Sequence, residues 1–289
     1  MDFHFANTAL LYVAIPFIIS FLLFRFARKG NRGFGGHVFD ATIVMLASSA
    51  FLFEGFICVL FFYPIYILFV AIGYAFSSGL EKRQENGEDS HLKSSFIPLI
   101  VAVMALEGTA PSTSFERENT VTRSFIIDAD VMTIQKNMAE PFELPKERPW
   151  FLSVFPIPMV TRAGSLEEGD IHQMDFVYKR WFFTNIKSGQ MALRIDTVTD
   201  QRVETTLIKN TSYLSTYLNI KGSEVDFTPL KDGRTRVDLT MRYERLLDPA
   251  WYFGPLQKYA SIQMCDYFVE NVYAKDIQFE RLEAATSDN

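Results

Sequence analysis

Cysteine and clustered basic charge are both scarce in this chain, and each absence narrows what it can do. The 289 residues contain two cysteines, Cys58 and Cys265. Neither stands at a metal-ligand spacing, so finger- and ribbon-type zinc sites are excluded. Cys58 falls inside an apolar run and Cys265 in a stretch of helical period, so no disulfide is expected between them. Lys and Arg number 28 against 34 Asp and Glu, a net charge of −6. Phosphate backbones are bound by clustered cations, so DNA and RNA are not expected partners. A phosphate loop, a dinucleotide fingerprint and a Ser-Gly nucleophile elbow are also missing, and no metal or cofactor is expected. Nor does the N-terminus have a cleavable leader's charge order. Asp2 and His4 precede the first apolar run, and Arg25, Arg28, Lys29 and Arg32 follow it.

Charge of either sign is rare in the first third of the chain. Residues 1–109 hold 7 of the 28 Lys and Arg and 8 of the 34 Asp and Glu. The stretch Ala41–Phe76 has Glu54 as its one formal charge. A helix crosses a bilayer in about 20 apolar residues, so this stretch is too long for one crossing and nearly long enough for two. The reading is a transmembrane domain over 1–109 of about four helices (10–26, 40–60, 62–76 and 95–107). A turn is expected at Phe61–Pro64, where proline removes a helix donor, and a polar loop over Ser77–Lys93. One long tilted helix over Ala41–Phe76 is the alternative. Glu54 is the membrane-embedded polar candidate; such a carboxylate is either functional or held neutral or hydrogen-bonded by a neighbouring helix. Asp40 reads as a helix cap, and His37 as interfacial and inert. The basic residues after the first span place that side in the cytoplasm. With four spans, the C-terminal domain then lies outside, in the periplasm if the membrane is a bacterial inner membrane.

Residues 110–289 carry the remaining charge and read as a soluble domain. Alternation predicts strands near Asn119–Ile127, Met159–Gly164, Ile171–Lys179, Gln190–Thr199, Arg202–Lys209, Gly222–Pro229 and Thr235–Leu246. Asp232-Gly233 is a hairpin signal between the last two. Asp128-Ala129-Asp130 offers an N-cap for a short helix over Val131–Ala139. The period then turns helical. Asp248-Pro249 reads as a cap with proline at the first helical position. An apolar stripe of Leu256, Ala260, Met264, Tyr267 and Asn271 follows, as in a long helix lying on a sheet. His172 lies in a strand without a partner acid or nucleophile and reads as structural.

The order strand, short helices, antiparallel strands and long helix resembles the helix-grip fold of the START-like and polyketide-cyclase-like (SRPBCC) superfamily. The segments that carry the resemblance are IDADVMTIQKNM, DGRTRVDLTMRYERLL and DPAWYFGPLQKYASIQMCDYFVENV. More narrowly, the chain looks like bacterial multi-span proteins that end in such a domain. The expected fold class is therefore an α-helical transmembrane anchor plus an α+β helix-grip domain. The resemblance implies a hydrophobic cavity between the sheet and the long helix, and it implies no reaction.

The aromatic weight of the domain supplies the candidate ligand-binding residues: Trp150, Phe151, Phe155, Tyr213, Tyr217, Trp251, Leu256, Tyr259, Met264 and Tyr267. Apolar walls with a few hydroxyls suit a lipid, isoprenoid or quinone-like molecule; the competing reading is that the same rings fill a solid core. The functional expectation is a membrane-anchored protein that binds or presents a hydrophobic ligand at the membrane surface. Its partners would be membrane lipids and a hydrophobic small molecule. Two alternatives are an accessory or assembly subunit packing on other membrane-protein subunits, and a cyclase or hydrolase with no assigned catalytic residue.

Overall fold

A computed structural model describes residues 7–26, 33–51, 56–86, 96–144, 148–153, 155–181 and 184–282. The chain divides into two compact units. One comprises the residues up to Phe115 together with Leu247–Gly254; the other comprises Glu116–Leu246 and the chain from Pro255 onward.

The first unit is helical. A π-helical turn, Leu10–Ala14, leads into α1 (Ile15–Phe26); α2 (Phe34–Phe51), α3 (Phe56–Asn86) and α4 (Phe96–Ala105) follow. The turn expected at Phe61–Pro64 does not form. Pro64 sits inside α3, which also runs on through the first ten residues of the expected polar loop. Asp40 likewise lies within α2 and does not start it. Proline is tolerated in apolar helices because neighbouring groups can satisfy the freed carbonyl. Of the expected spans, one has a counterpart of full length. Val59–Glu81 has a mean hydropathy of 2.1 and is, among the described residues, the one helix long and apolar enough to cross a membrane. The apolar helices Leu10–Phe26, Phe34–Ala47 and Phe96–Ala105 are shorter. Glu54, Arg28, Lys29 and Arg32 lie outside the described residues.

Small and polar side chains hold these helices together. A Cβ at Gly73 of α3 would stand 2.8 Å from the Ser20 Cβ and 3.0 Å from the Phe17 carbonyl oxygen of α1, so the two backbones meet where only glycine fits. Ser20 Oγ donates to the Val70 carbonyl at 2.7 Å and lies 2.8 Å from His37 Nε2 of α2. His37 is thus buried and partnered, with the Phe24 and Tyr74 rings against it. Tyr66 Oη donates to the Ala41 carbonyl at 2.8 Å, tying α3 to α2.

Leu247–Gly254, from the far end of the sequence, completes this unit. It contains the first turn of the C-terminal helix, Ala250–Phe268. Asp248 N–H donates to the Asn7 carbonyl at 2.9 Å, and Ala250 N–H to the Glu107 carboxylate at 2.7 Å. Tyr252 Oη donates to the Phe61 carbonyl at 2.7 Å. The Phe253 ring packs 5.1 Å from Tyr12 and 5.7 Å from Phe62. The helix start therefore differs from the one expected. Pro249 precedes the helix and its carbonyl accepts from Tyr252 and Phe253. The first free N–H is met by Glu107, 143 residues earlier, an acceptor that local sequence does not disclose.

The second unit is α+β. Its strands are β1 (Glu118–Ile127), β2 (Ile157–Arg162), β3 (Ile171–Trp181), β4 (Thr184–Val198), β5 (Arg202–Asn210), β6 (Leu218–Pro229), β7 (Thr235–Arg245) and β8 (Phe279–Leu282). They form one sheet in the order β2-β3-β4-β5-β6-β7-β1-β8, antiparallel throughout. Two short helices, α5 (Val131–Ala139) and α6 (Trp150–Ser153), separate β1 from β2. Asp130 caps α5, accepting from Thr133 N–H at 2.8 Å. The long helix is α7 (Ala250–Phe268), continued by a π-helical turn over Val269–Tyr273. Along β7 the residues Thr235, Val237, Leu239, Met241 and Tyr243 are buried, the alternation of a strand with one face in a core. That core joins Phe125, Ile127, Val203, Val225 and Val237 to Cys265 and Val269 of the helix. The helix is clamped to β1 by a bidentate pair, Arg123 Nε to Asp266 Oδ1 at 2.7 Å and Nη2 to Oδ2 at 3.2 Å.

Candidate functional site

A cavity of about 150 Å³ lies within the sheet unit. The strands reach it through the side chains that alternate inward: Met174 and Phe176 of β3, Met191 and Leu193 of β4, Leu207 of β5, Ile220 of β6, and Leu239 and Met241 of β7. The helical wall is Met264, Cys265, Tyr267 and Phe268, with Tyr273 beyond it. Leu144, Arg148, Leu152, Phe155 and Pro156, from the segment around α6, complete the lining. Gly222 explains one corner. A Cβ there would stand 2.1 Å from the Thr205 carbonyl oxygen, so β5 and β6 close on each other only because that position is glycine; on the other side of β6, its ladder with β7 shifts register between Ile220 and Gly222.

The polar groups of the lining are few. Ser223 Oγ is matched with Thr205 Oγ1 at 2.9 Å. Burial pushes the Cys265 thiol up to about 12, with Asp266 adding to the shift, so it is a thiol and not a nucleophilic thiolate at neutral pH. Burial also raises the phenols of Tyr267 and Tyr273. The remaining polar group is Arg148. Among the described residues its Nη1 makes one long contact, 3.4 Å, to the Pro156 carbonyl, and its buried Nε has no hydrogen-bond partner. Burial lowers its pKa and Tyr267 opposes that shift; a guanidinium remains charged at neutral pH regardless. Among the described residues, no group of His, Cys, Asp and Glu is placed to hold a metal ion.

The structure brings together some of the sequence candidates and disperses the others. Phe155, Met264 and Tyr267 line the cavity. Phe151 is buried behind it, its ring 5.4 Å from Phe155 and 4.9 Å from Tyr259. Tyr259 is 44% exposed and Trp150 is 74% exposed, so both face outward. Trp251 belongs to the helical unit and is half exposed. Tyr213 and Tyr217 share a hydroxyl contact at 2.7 Å. Tyr213 borders a second, more polar pocket of about 200 Å³ with Gly189, Thr211 and Ser212, and Pro156 and Phe176 line both pockets. His172 Nε2 is 2.7 Å from the Ser165 carbonyl oxygen, a structural contact.

Leu256 is half-buried and does not line the cavity. The buried seam of α7 runs through Gln257, Ala260, Ser261 and Cys265 and continues to Val269, one position on from the expected stripe over much of its length. Two polar residues in the seam hid it from an apolar pattern; Gln257 Nε2 donates to the Tyr217 carbonyl at 2.9 Å. The strand residues of the lining were missed because the reading weighted aromatics. Their signal was the ordinary alternation of Met174 with Phe176 and of Leu239 with Met241.

No family model matches the chain, and no curated protein matches it. Among solved structures it is similar to a START superfamily protein from Mycobacterium smegmatis, at 11% identity and a TM-score of 0.32 over 52% of this chain and 91% of that one. It is similar to norcoclaurine synthase from Thalictrum flavum in complex with dopamine and hydroxybenzaldehyde, at 12% identity and a TM-score of 0.32 over 52% and 83%. A major latex-like protein from Panax ginseng aligns at 11% identity and a TM-score of 0.29 over 52% and 97%. At these identities and scores the comparisons carry no statement about activity.

Proposed function

We propose that this chain is a membrane-anchored binding protein whose sheet unit takes up a small apolar molecule in the cavity against α7. The void itself supports the reading best. Protein interiors pack at crystal-like density, and this one leaves about 150 Å³ open among Leu, Met and Phe side chains. A dry apolar void of that size accepts a molecule as small as benzene, whereas sites for drug-sized ligands begin near 300 Å³. The occupant is accordingly a compact ring or short chain, or one end of a longer lipid. The test is mass spectrometry of small molecules released from the full chain purified in lipid nanodiscs. Near-stoichiometric recovery of one apolar species is expected, and repeated preparations free of any such species would overturn the proposal.

The anchoring part of the reading draws on the outward faces of the helices. Only 28% of the most apolar window of Val59–Glu81 is buried, unlike the core helix of a soluble protein. Ile43 and Leu46 on α2, Leu68 on α3, and Leu99, Ile100 and Val103 on α4 are exposed. Such a surface calls for lipid or for the spans of another subunit. The second cover defines the alternative, an accessory or assembly subunit of a membrane complex, and would show as a stoichiometric partner on native purification.

A further inference from the structure

The charge inside the cavity identifies the ligand class more narrowly. Resting on the reading of the cavity as a ligand site, we propose that the ligand is a compact apolar acid, its hydrocarbon part among Met174, Leu193 and Met264 and its carboxylate on the Arg148 guanidinium. The geometry carries this in two steps. Arg148 lines a cavity whose other walls are almost wholly apolar. Among the described residues its buried Nε has no hydrogen-bond partner, and its Nη1 has a single carbonyl at 3.4 Å. No ion pair links it to a carboxylate among the described residues. A half-buried guanidinium whose Nε is sealed from solvent without an acceptor is costly, and a planar carboxylate is the acceptor that matches its fork. Tyr267, on the same lining, supplies a neutral phenol beside the charge and would not compete as an anion. The size of the void limits the hydrocarbon part to about one ring with a short substituent.

The experiment is equilibrium dialysis of the full chain in lipid nanodiscs against 4-ethylbenzoate and the near-isosteric neutral 4-ethylbenzyl alcohol, with empty discs subtracted. One charge-assisted contact should favour the acid by about ten- to a hundredfold. Arg148→Met should abolish that preference while the alcohol still binds, and Arg148→Lys should keep part of it. Equal uptake of the two probes by the native chain, or unchanged acid binding in Arg148→Met, would overturn the acid assignment and leave the cavity reading standing. Uptake of neither probe would overturn both. If Arg148→Met does not fold, the probe ratio of the native chain and of Arg148→Lys decides.

Discussion

Met264→Trp separates a ligand cavity from a poorly packed core. Met264 lies on the helical wall of the void and is half-buried, so a larger side chain can enter the void without displacing a fully enclosed neighbour. An enclosed cavity costs about 24 cal/mol per Å³, so about 3–4 kcal/mol is the most that filling the partly open 150 Å³ here could recover. That is a large part of an ordinary domain's 5–15 kcal/mol. The indole should recover some of this cost and occupy the ligand's place. The expected result is a melting temperature equal to or above that of the native chain, with uptake of 4-ethylbenzyl alcohol reduced at least tenfold. Calorimetric melts and equilibrium dialysis on one preparation read both. A solid core would respond the other way. Overpacking would cost about 1–3 kcal/mol, lowering the melt by roughly 2–12 °C for a unit of this size. A lowered melt, together with no uptake by the native chain, would refute the argument.

Four further outcomes are expected. Asp266→Asn leaves Arg123 unpaired in a site where the two side chains are 16% and 7% exposed; it should cost about 3–5 kcal/mol in urea melts, and the double change Arg123→Met with Asp266→Leu should recover much of that. Gly73→Val drives a Cβ into Ser20 and should lower the thermal stability of the full chain in nanodiscs by about 1–3 kcal/mol, with Gly73→Ala intermediate. Burial tends to raise the Glu244 carboxyl, but Lys221 at 2.6 Å and the Asn219 amide outweigh it and hold the pKa below 4.5. Its stabilisation is therefore complete above about pH 4.5 and is lost as pH falls through the lower folded value, so Glu244→Gln should flatten the acid limb of the stability profile. Finally, the four-span reading requires a reporter enzyme active only outside the cytoplasm, fused after Asn289, to be active, because Arg25 in the last turn of α1, Arg28 beyond it and Lys82 and Arg83 late in α3 vote for the cytoplasm; an inactive reporter would refute the four-span reading.

How far the sequence could be read depended on whether the determining contacts were local. Strand alternation and the Asp232-Gly233 turn are local, and β3 through β7 stand close to where the pattern puts them. Asp130 is likewise a local cap and was legible. By contrast β8 is four residues long and edge-paired with β1, too short to show a period. Pro64 looked like a break because its helix was judged alone. The packing of Ser20 on Gly73, which holds α3 against α1, has no local signature. At the site, Phe155, Met264 and Tyr267 were legible as apolar bulk near the long helix. Trp150 and Tyr259 have the same bulk and face outward, because hydropathy does not report direction. Arg148 was not singled out at all; a charge beside three prolines reads as a loop, and only the fold shows that it faces a void.

The Glu107 carboxylate and the Asn7 carbonyl have a consequence for how the protein is made. Both belong to the part of the chain synthesised first, and both are matched by N–H groups of Asp248 and Ala250. At about 5–20 residues per second, the ribosome needs roughly 7–30 s to travel from Glu107 to Ala250 and roughly 12–48 s from Asn7 to Asp248. Throughout that interval the helical unit lacks Leu247–Gly254, so the Tyr12 and Phe62 rings wait without Phe253. The whole sheet unit up to Leu246 is translated before the eight residues that complete the helices. A nascent chain stalled between β7 and the long helix should therefore hold β1 to β7 without the long helix or the edge strand β8, beside an unfinished helical unit, which makes this interval the time at which a chaperone or insertase would most need to protect it.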